Sequence, residues 1–114
     1  MTTPRAEISL RLCFGEDAPV LDQRATRMLE LIDTHGSIAQ AASALKISYR
    51  TAWILVSRLN ECGAGMLVSA SRGGTINGAR LTPAGLALIE RFRRTERELT
   101  VLVDKLNREP VPDQ

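Results

Sequence analysis

Apolar and polar positions alternate from residue 7 to 14, with Ile8, Leu10, Leu12 and Phe14 set against Ser9, Arg11 and Cys13, and this period of two predicts a half-buried strand. Gly15-Glu16-Asp17-Ala18-Pro19 reads as a turn and Val20-Leu21 as a very short returning strand. The period then lengthens. Asp22 is a helix N-cap before Ala25, Met28, Leu29 and Ile32, and Gly36, just after His35, supplies the left-handed residue that ends the helix. Ser37 caps a second helix of barely two turns carrying Ile38, Ala41, Ala42 and Leu45, which Lys46-Ile47 interrupts. Ser48 caps a third, running to about Cys62, with Ala52, Leu55, Val56 and Leu59 on its core stripe and Arg50, Thr51, Ile54, Ser57 and Arg58 opposite. In that helix Trp53 and Tyr49 are expected to fill the gap under the wing and against the first helix. Residues 66–71 and 79–81 read as the arms of a β-hairpin around a Gly-rich loop, 72–78.

Thr82-Pro83 then offers an N-cap with proline at the first helical position, opening a helix through about Asn107 that would span roughly 39 Å. Leu88, Phe92, Thr95, Leu99, Leu102 and Leu106 follow in steps of four and three, the spacing of a coiled-coil seam. Such a helix outreaches a small domain, so Leu88, Phe92, Leu99, Leu102 and Leu106 are expected to form a homodimer contact. The organisation that results is a domain over residues 7–85, a dimerisation helix over 86–107 and a disordered tail over 108–114, where Pro110 and Pro112 forbid further helix.

Composition narrows the chemistry. With 114 residues, 44% hydrophobic and 25% charged, the chain suits one globular domain. Residues 1–7 lack a basic patch followed by an apolar run, no membrane-spanning stretch is evident, and the expectation is a cytoplasmic protein. Cys13 and Cys62 lack metal-site spacing and read as reduced, buried thiols, and His35 is the single histidine. No catalytic residue, metal ligand or cofactor is therefore assigned, and the chain is read as a binding protein rather than an enzyme. Charge is unevenly spread: residues 1–36 carry a net −2 and 86–114 a net 0, whereas 37–85 carry +4, from Lys46, Arg50, Arg58, Arg72 and Arg80 against Glu61 alone. A polyanion would be drawn to the middle third.

Two short helices joined by a tight turn and followed by a hairpin make a winged helix-turn-helix, so the fold class is α+β, mainly α, with an N-terminal strand and a long C-terminal helix. In that arrangement the helix capped by Ser48 enters the major groove of double-stranded DNA. The expected DNA-binding residues are Ser48, Tyr49, Arg50, Thr51, Ile54 and Arg58 on this helix, and Arg72, Gly73, Gly74 and Arg80 on the wing. The competing reading is a winged-helix protein-interaction module that does not bind DNA; exposed Ile54 favours it and the +4 balance opposes it. A small enzyme or metal-uptake factor would need clustered acids or histidines, which the sequence does not show.

Gly36-Ser37-Ile38-Ala39-Gln40-Ala41-Ala42, Ile47-Ser48-Tyr49-Arg50-Thr51-Ala52-Trp53, Leu59-Asn60-Glu61, the Arg72-Gly73-Gly74 wing and Leu81-Thr82-Pro83-Ala84-Gly85 resemble the N-terminal domain of the molybdate-responsive ModE-type regulators. The wider LysR-type helix-turn-helix shares Ala41-Ala42, Leu45 and Ser48. The resemblance implies a homodimeric transcriptional regulator on a palindromic operator, with the first and last helices contributing dimer contacts. The wing is less glycine-rich than the family's usual run. Full-length ModE-type regulators also carry C-terminal molybdate-binding domains, so the expectation here is a regulator without that sensor.

Overall fold

The computed structural model describes residues 4–16, 20–61, 65–70 and 78–109. Two strands, β1 (Leu12–Cys13) and β2 (Val20–Leu21), precede three helices, α1 (Gln23–His35), α2 (Ile38–Leu45) and α3 (Tyr49–Asn60). A hairpin of β3 (Val68–Ala70) and β4 (Ala79–Leu81) leads into α4 (Pro83–Arg108). The protein is α+β and mainly helical, a winged-helix-like arrangement.

Each helix begins at the cap its sequence announces. Asp22 accepts from the Ala25 N–H at 2.8 Å, Ser37 from Gln40 at 3.1 Å, Ser48 from Thr51 at 3.1 Å and Thr82 from Gly85 at 3.1 Å. These side chains satisfy backbone donors that the first turn of a helix leaves without partners. The ends are equally local: Gly36 takes φ 77° and returns its N–H to Ile32 at 2.8 Å, and Lys46 closes α2 in the same left-handed region at φ 59°.

The core is centred on Leu21, Met28, Leu29, Ile32, Leu59, Leu67 and Phe92, all fully buried. Ala25, Ala41, Ala42 and Ala52 are buried in the core, and α2 packs closely against both α1 and α3 through small side chains. The hairpin pairs Val68 with Leu81 and Ala70 with Ala79, and it is tied to the helical layer by a Ser37–Gly78 bridge and an Ala79 N–H to Gly36 carbonyl bond of 2.8 Å. No helix among the described residues is long and apolar enough to cross a membrane.

Four expectations are corrected. The strand predicted over residues 7–14 pairs with β2 only at Leu12 and Cys13; before it the chain meets the far end of α4, where Ala6 exchanges two hydrogen bonds with the Asn107 amide at 2.8 and 3.1 Å. Phe92 is not a free seam residue: it lies at 0% exposure in the protomer's own core, and Leu88 packs partly against that core. The first turns of α4 thus belong to the core, and the seam residues left exposed are Leu102 at 62% and Leu106 at 55%. Cys13 is exposed rather than buried, and Cys62 lies outside the described residues. Trp53 and Tyr49 are both about half exposed rather than filling a gap inside, Trp53 because it follows buried Ala52 by about 100° of helical rotation and so turns away from the core.

Candidate nucleic-acid interface

The outer face of α3 is fixed by what its inner face does. Ala52, Val56 and Leu59 are buried and Leu55 is half-buried, so rotation of the helix about its axis is prevented by the core. Asn60, at the C-terminal end, fixes α3 against the hairpin. Its amide oxygen accepts from Leu67 N–H at 2.8 Å and Val68 N–H at 3.0 Å, and its amide nitrogen donates to the Val68 carbonyl at 3.0 Å.

With α3 held at this angle, Tyr49, Arg50, Thr51, Trp53, Ile54 and Arg58 are all exposed. Ser48 is committed as the cap, and its hydroxyl donates to the Thr51 hydroxyl at 2.8 Å. Arg50 and Arg58 make no ion pair with a described residue; the ion pairs formed among those residues use Arg5 with Glu7, and Arg93 with Glu30 and Glu96. The face therefore presents two uncompensated guanidinium groups beside apolar Ile54 and two half-exposed aromatic rings, Tyr49 and Trp53. That mixture can bond phosphate oxygens or guanine edges and touch a thymine methyl. The outward position of Trp53 is written in its helical phase relative to buried Ala52 and Val56.

On the hairpin, Arg80 is exposed in β4, opposite Ser69. Arg72, Gly73 and Gly74 lie outside the described residues. The hairpin is anchored through Thr82, whose hydroxyl donates to the Met66 carbonyl at 2.6 Å and whose N–H donates to the Leu67 carbonyl at 3.0 Å. Gly85 completes this joint: a Cβ there would stand 2.4 Å from the Leu67 carbonyl oxygen, so only glycine fits without a backbone shift.

A second joint clamps α1 to α4. The Arg93 guanidinium donates to both Glu30 carboxylate oxygens, at 2.6 and 3.2 Å, to Glu96 at 2.8 Å and to the Gln23 amide oxygen. The Glu30 hydrogen bond holds the Arg93 pKa above the ordinary arginine value, against a smaller opposing effect of burial and with help from Glu96. No group of histidine, cysteine, aspartate and glutamate with metal-holding geometry occurs among the described residues.

Comparison with known proteins adds a family context. The chain is 45% identical over 84 residues to the molybdenum-pterin-binding protein MopA of Rhodobacter capsulatus, covering 73% of this chain and 32% of that protein. It is 38% identical over 78 residues to the molybdenum transport protein ModE of Herbaspirillum seropedicae, covering 68% and 29%. Against the DNA-binding transcriptional dual regulator ModE of Escherichia coli K12 it is 36% identical over 89 residues, covering 77% and 34%. The chain thus spans about a third of the length of the curated relatives it matches. No protein-family model matches it.

Proposed function

We propose that this chain is a ModE-like transcription-regulatory module that binds double-stranded DNA as a homodimer, with α3 as the helix that enters the major groove. The observation that carries the reading is the outer face of α3: Arg50, Thr51, Ile54 and Arg58 exposed, the two arginines without an acidic partner among the described residues, on a helix held rigidly by its buried side and by Asn60. Similarity to a relative named as a DNA-binding transcriptional regulator supports it. On this reading Arg50 and Ile54 meet base edges, and Tyr49, Ser48 and Thr51 sit against the neighbouring backbone. Arg58, Arg80 and the Arg72-Gly73-Gly74 wing contact phosphates.

Dimerisation through the outer end of α4, at half-buried Leu99 and exposed Leu102 and Leu106, sets two α3 helices on successive major grooves of a palindromic operator, about 34–36 Å apart. The functional unit is then residues 7–85 plus the extending helix, with the activity residing in binding rather than catalysis.

The test is selection from a random duplex pool across a range of salt, with sequencing of the retained DNA. Enrichment of a palindrome, with affinity falling steeply as salt rises, is expected. Failure to retain any duplex at 50 mM salt would overturn the proposal in favour of a protein-interaction module, for which exposed Trp53 and Ile54 would be the contact residues.

A further inference from the structure

Sequence order puts Arg11, Arg24 and Arg27 in the acidic first third of the chain, but the fold gathers them elsewhere. A hollow of about 300 Å³ runs along one side of α3, lined by Thr51, Ile54, Leu55 and Arg58 from that helix and by Arg24 and Met28 from α1. It adjoins a second, of about 460 Å³, between α1 and the segment before β1, where Arg11, Arg24 and Arg27 share the lining; Asp22, Arg24 and Leu45 belong to both. Two nearby acids are paired with other arginines, and a third, Asp22, keeps its charge at the mouth of α1. Glu7 pairs with Arg5, Glu30 with Arg93 across the α1–α4 joint, and the Asp22 carboxylate caps α1. Arg11, Arg24, Arg27 and Arg58 form no ion pair with a described residue, so the two hollows set four guanidinium groups against the single carboxylate of Asp22, a net positive strip leading away from α3.

We infer that this groove is a second binding site for the phosphodiester backbone, on the side of α3 away from the hairpin. The inference rests on the proposed docking of α3 in the major groove. A helix with its side chains is about 10–12 Å across and the groove about 12 Å wide, so whatever flanks the helix on either side meets a phosphate rim. The hairpin is fixed to α3 through Asn60. Arg58, two residues earlier, is about 160° away around the helix axis and lines the hollow on the other side. One rim therefore falls to the wing and Arg80, and the other to Arg24, with Arg27 and Arg11 continuing outward. Backbone contacts of this kind carry affinity and register but no base preference.

The test compares wild type with an Arg11→Ala, Arg24→Ala, Arg27→Ala triple variant and with the matching lysine triple, on the selected duplex and a scrambled one, over 50–200 mM salt. Thermal melts confirm that each variant is folded. The alanine triple is expected to lose at least tenfold in affinity for both duplexes alike and to lower the salt slope of the bound dimer by about 5, near 0.9 for each of the phosphate contacts removed from its two protomers. The lysine triple should recover most of the slope. Methylphosphonate linkages on the rim opposite the wing should weaken wild type but not the alanine triple. If wild type binds with a steep slope and Arg50→Ala loses base preference, yet the alanine triple keeps the wild-type slope, this inference falls and the α3 reading stands. If wild type binds no duplex, both fall.

Discussion

Gly85 shows how a single position can hold the interface. A methyl group there would drive into the Leu67 carbonyl oxygen at 2.4 Å, in the joint that orients the hairpin against α4. Gly85→Ala is expected to destabilise the fold by about 1–3 kcal/mol, read as a lowered denaturant midpoint with an unchanged slope. Asn60 acts on the other side of the same strand. Asn60→Ala removes three hydrogen bonds and leaves the Leu67 and Val68 N–H groups wanting partners, which should cost about 2–3 kcal/mol and speed amide exchange at those two residues. Arg50 is different in kind: it is exposed and unpaired among the described residues, so Arg50→Ala should leave the melting temperature within about 2 °C while relaxing base preference. A large loss of stability in that variant would show Arg50 to be structural.

At the scale of elements, the four helices were legible because their boundaries are written in local chemistry. Asp22, Ser37, Ser48 and Thr82 are caps by virtue of their own side chains, and Gly36 ends α1 by its own backbone freedom. Strand pairing has no such local signature. The alternation over residues 7–14 is real, but only Leu12 and Cys13 find a partner strand, and Asn107, a hundred residues on, takes up the backbone of Ala6. The α1–α4 clamp was illegible for the same reason, since nothing adjacent to Glu30 announces Arg93. Arg93→Met should cost about 1–2 kcal/mol, as the pair is mostly shielded and bidentate, and should leave Glu30 without its cation. Because the Arg93 pKa is raised, its stabilisation is complete below the unfolded-state value and is lost only as pH climbs through the folded one. The guanidinium therefore stays charged through the neutral and mildly alkaline range. A clamp contribution that vanished between pH 7 and 9 would contradict this assignment.

For the molecule as a whole, dividing charge by sequence segment captured half of the electrostatic picture. The basic middle third does supply the face of α3, but the acidic label on the first third conceals three arginines, since Glu7 and Glu30 pair with Arg5 and Arg93 and leave Arg11, Arg24 and Arg27 grouped beside that face with Asp22 as the one acid among them. The longest dimension, 65 Å against 28 and 23 Å, fits a long α4 whose outer half leaves the core and exposes Val101, Leu102 and Leu106. An unshared apolar strip of this kind is the expected seat of a second copy. Leu102→Glu with Leu106→Glu should convert a dimer to a folded monomer in sedimentation velocity and reduce operator affinity more than a hundredfold; a dimer that survived both substitutions would move the interface elsewhere.

The most direct test of the central reading is salt-dependent binding of wild type and Arg50→Ala to the duplex recovered by selection and to a scrambled control. The account predicts that wild type prefers the selected duplex by about 10³-fold or more and that Arg50→Ala loses at least tenfold of that preference while still binding both duplexes with a steep salt dependence. Equal preference in wild type and Arg50→Ala, or no binding by wild type at 50 mM salt, would contradict it.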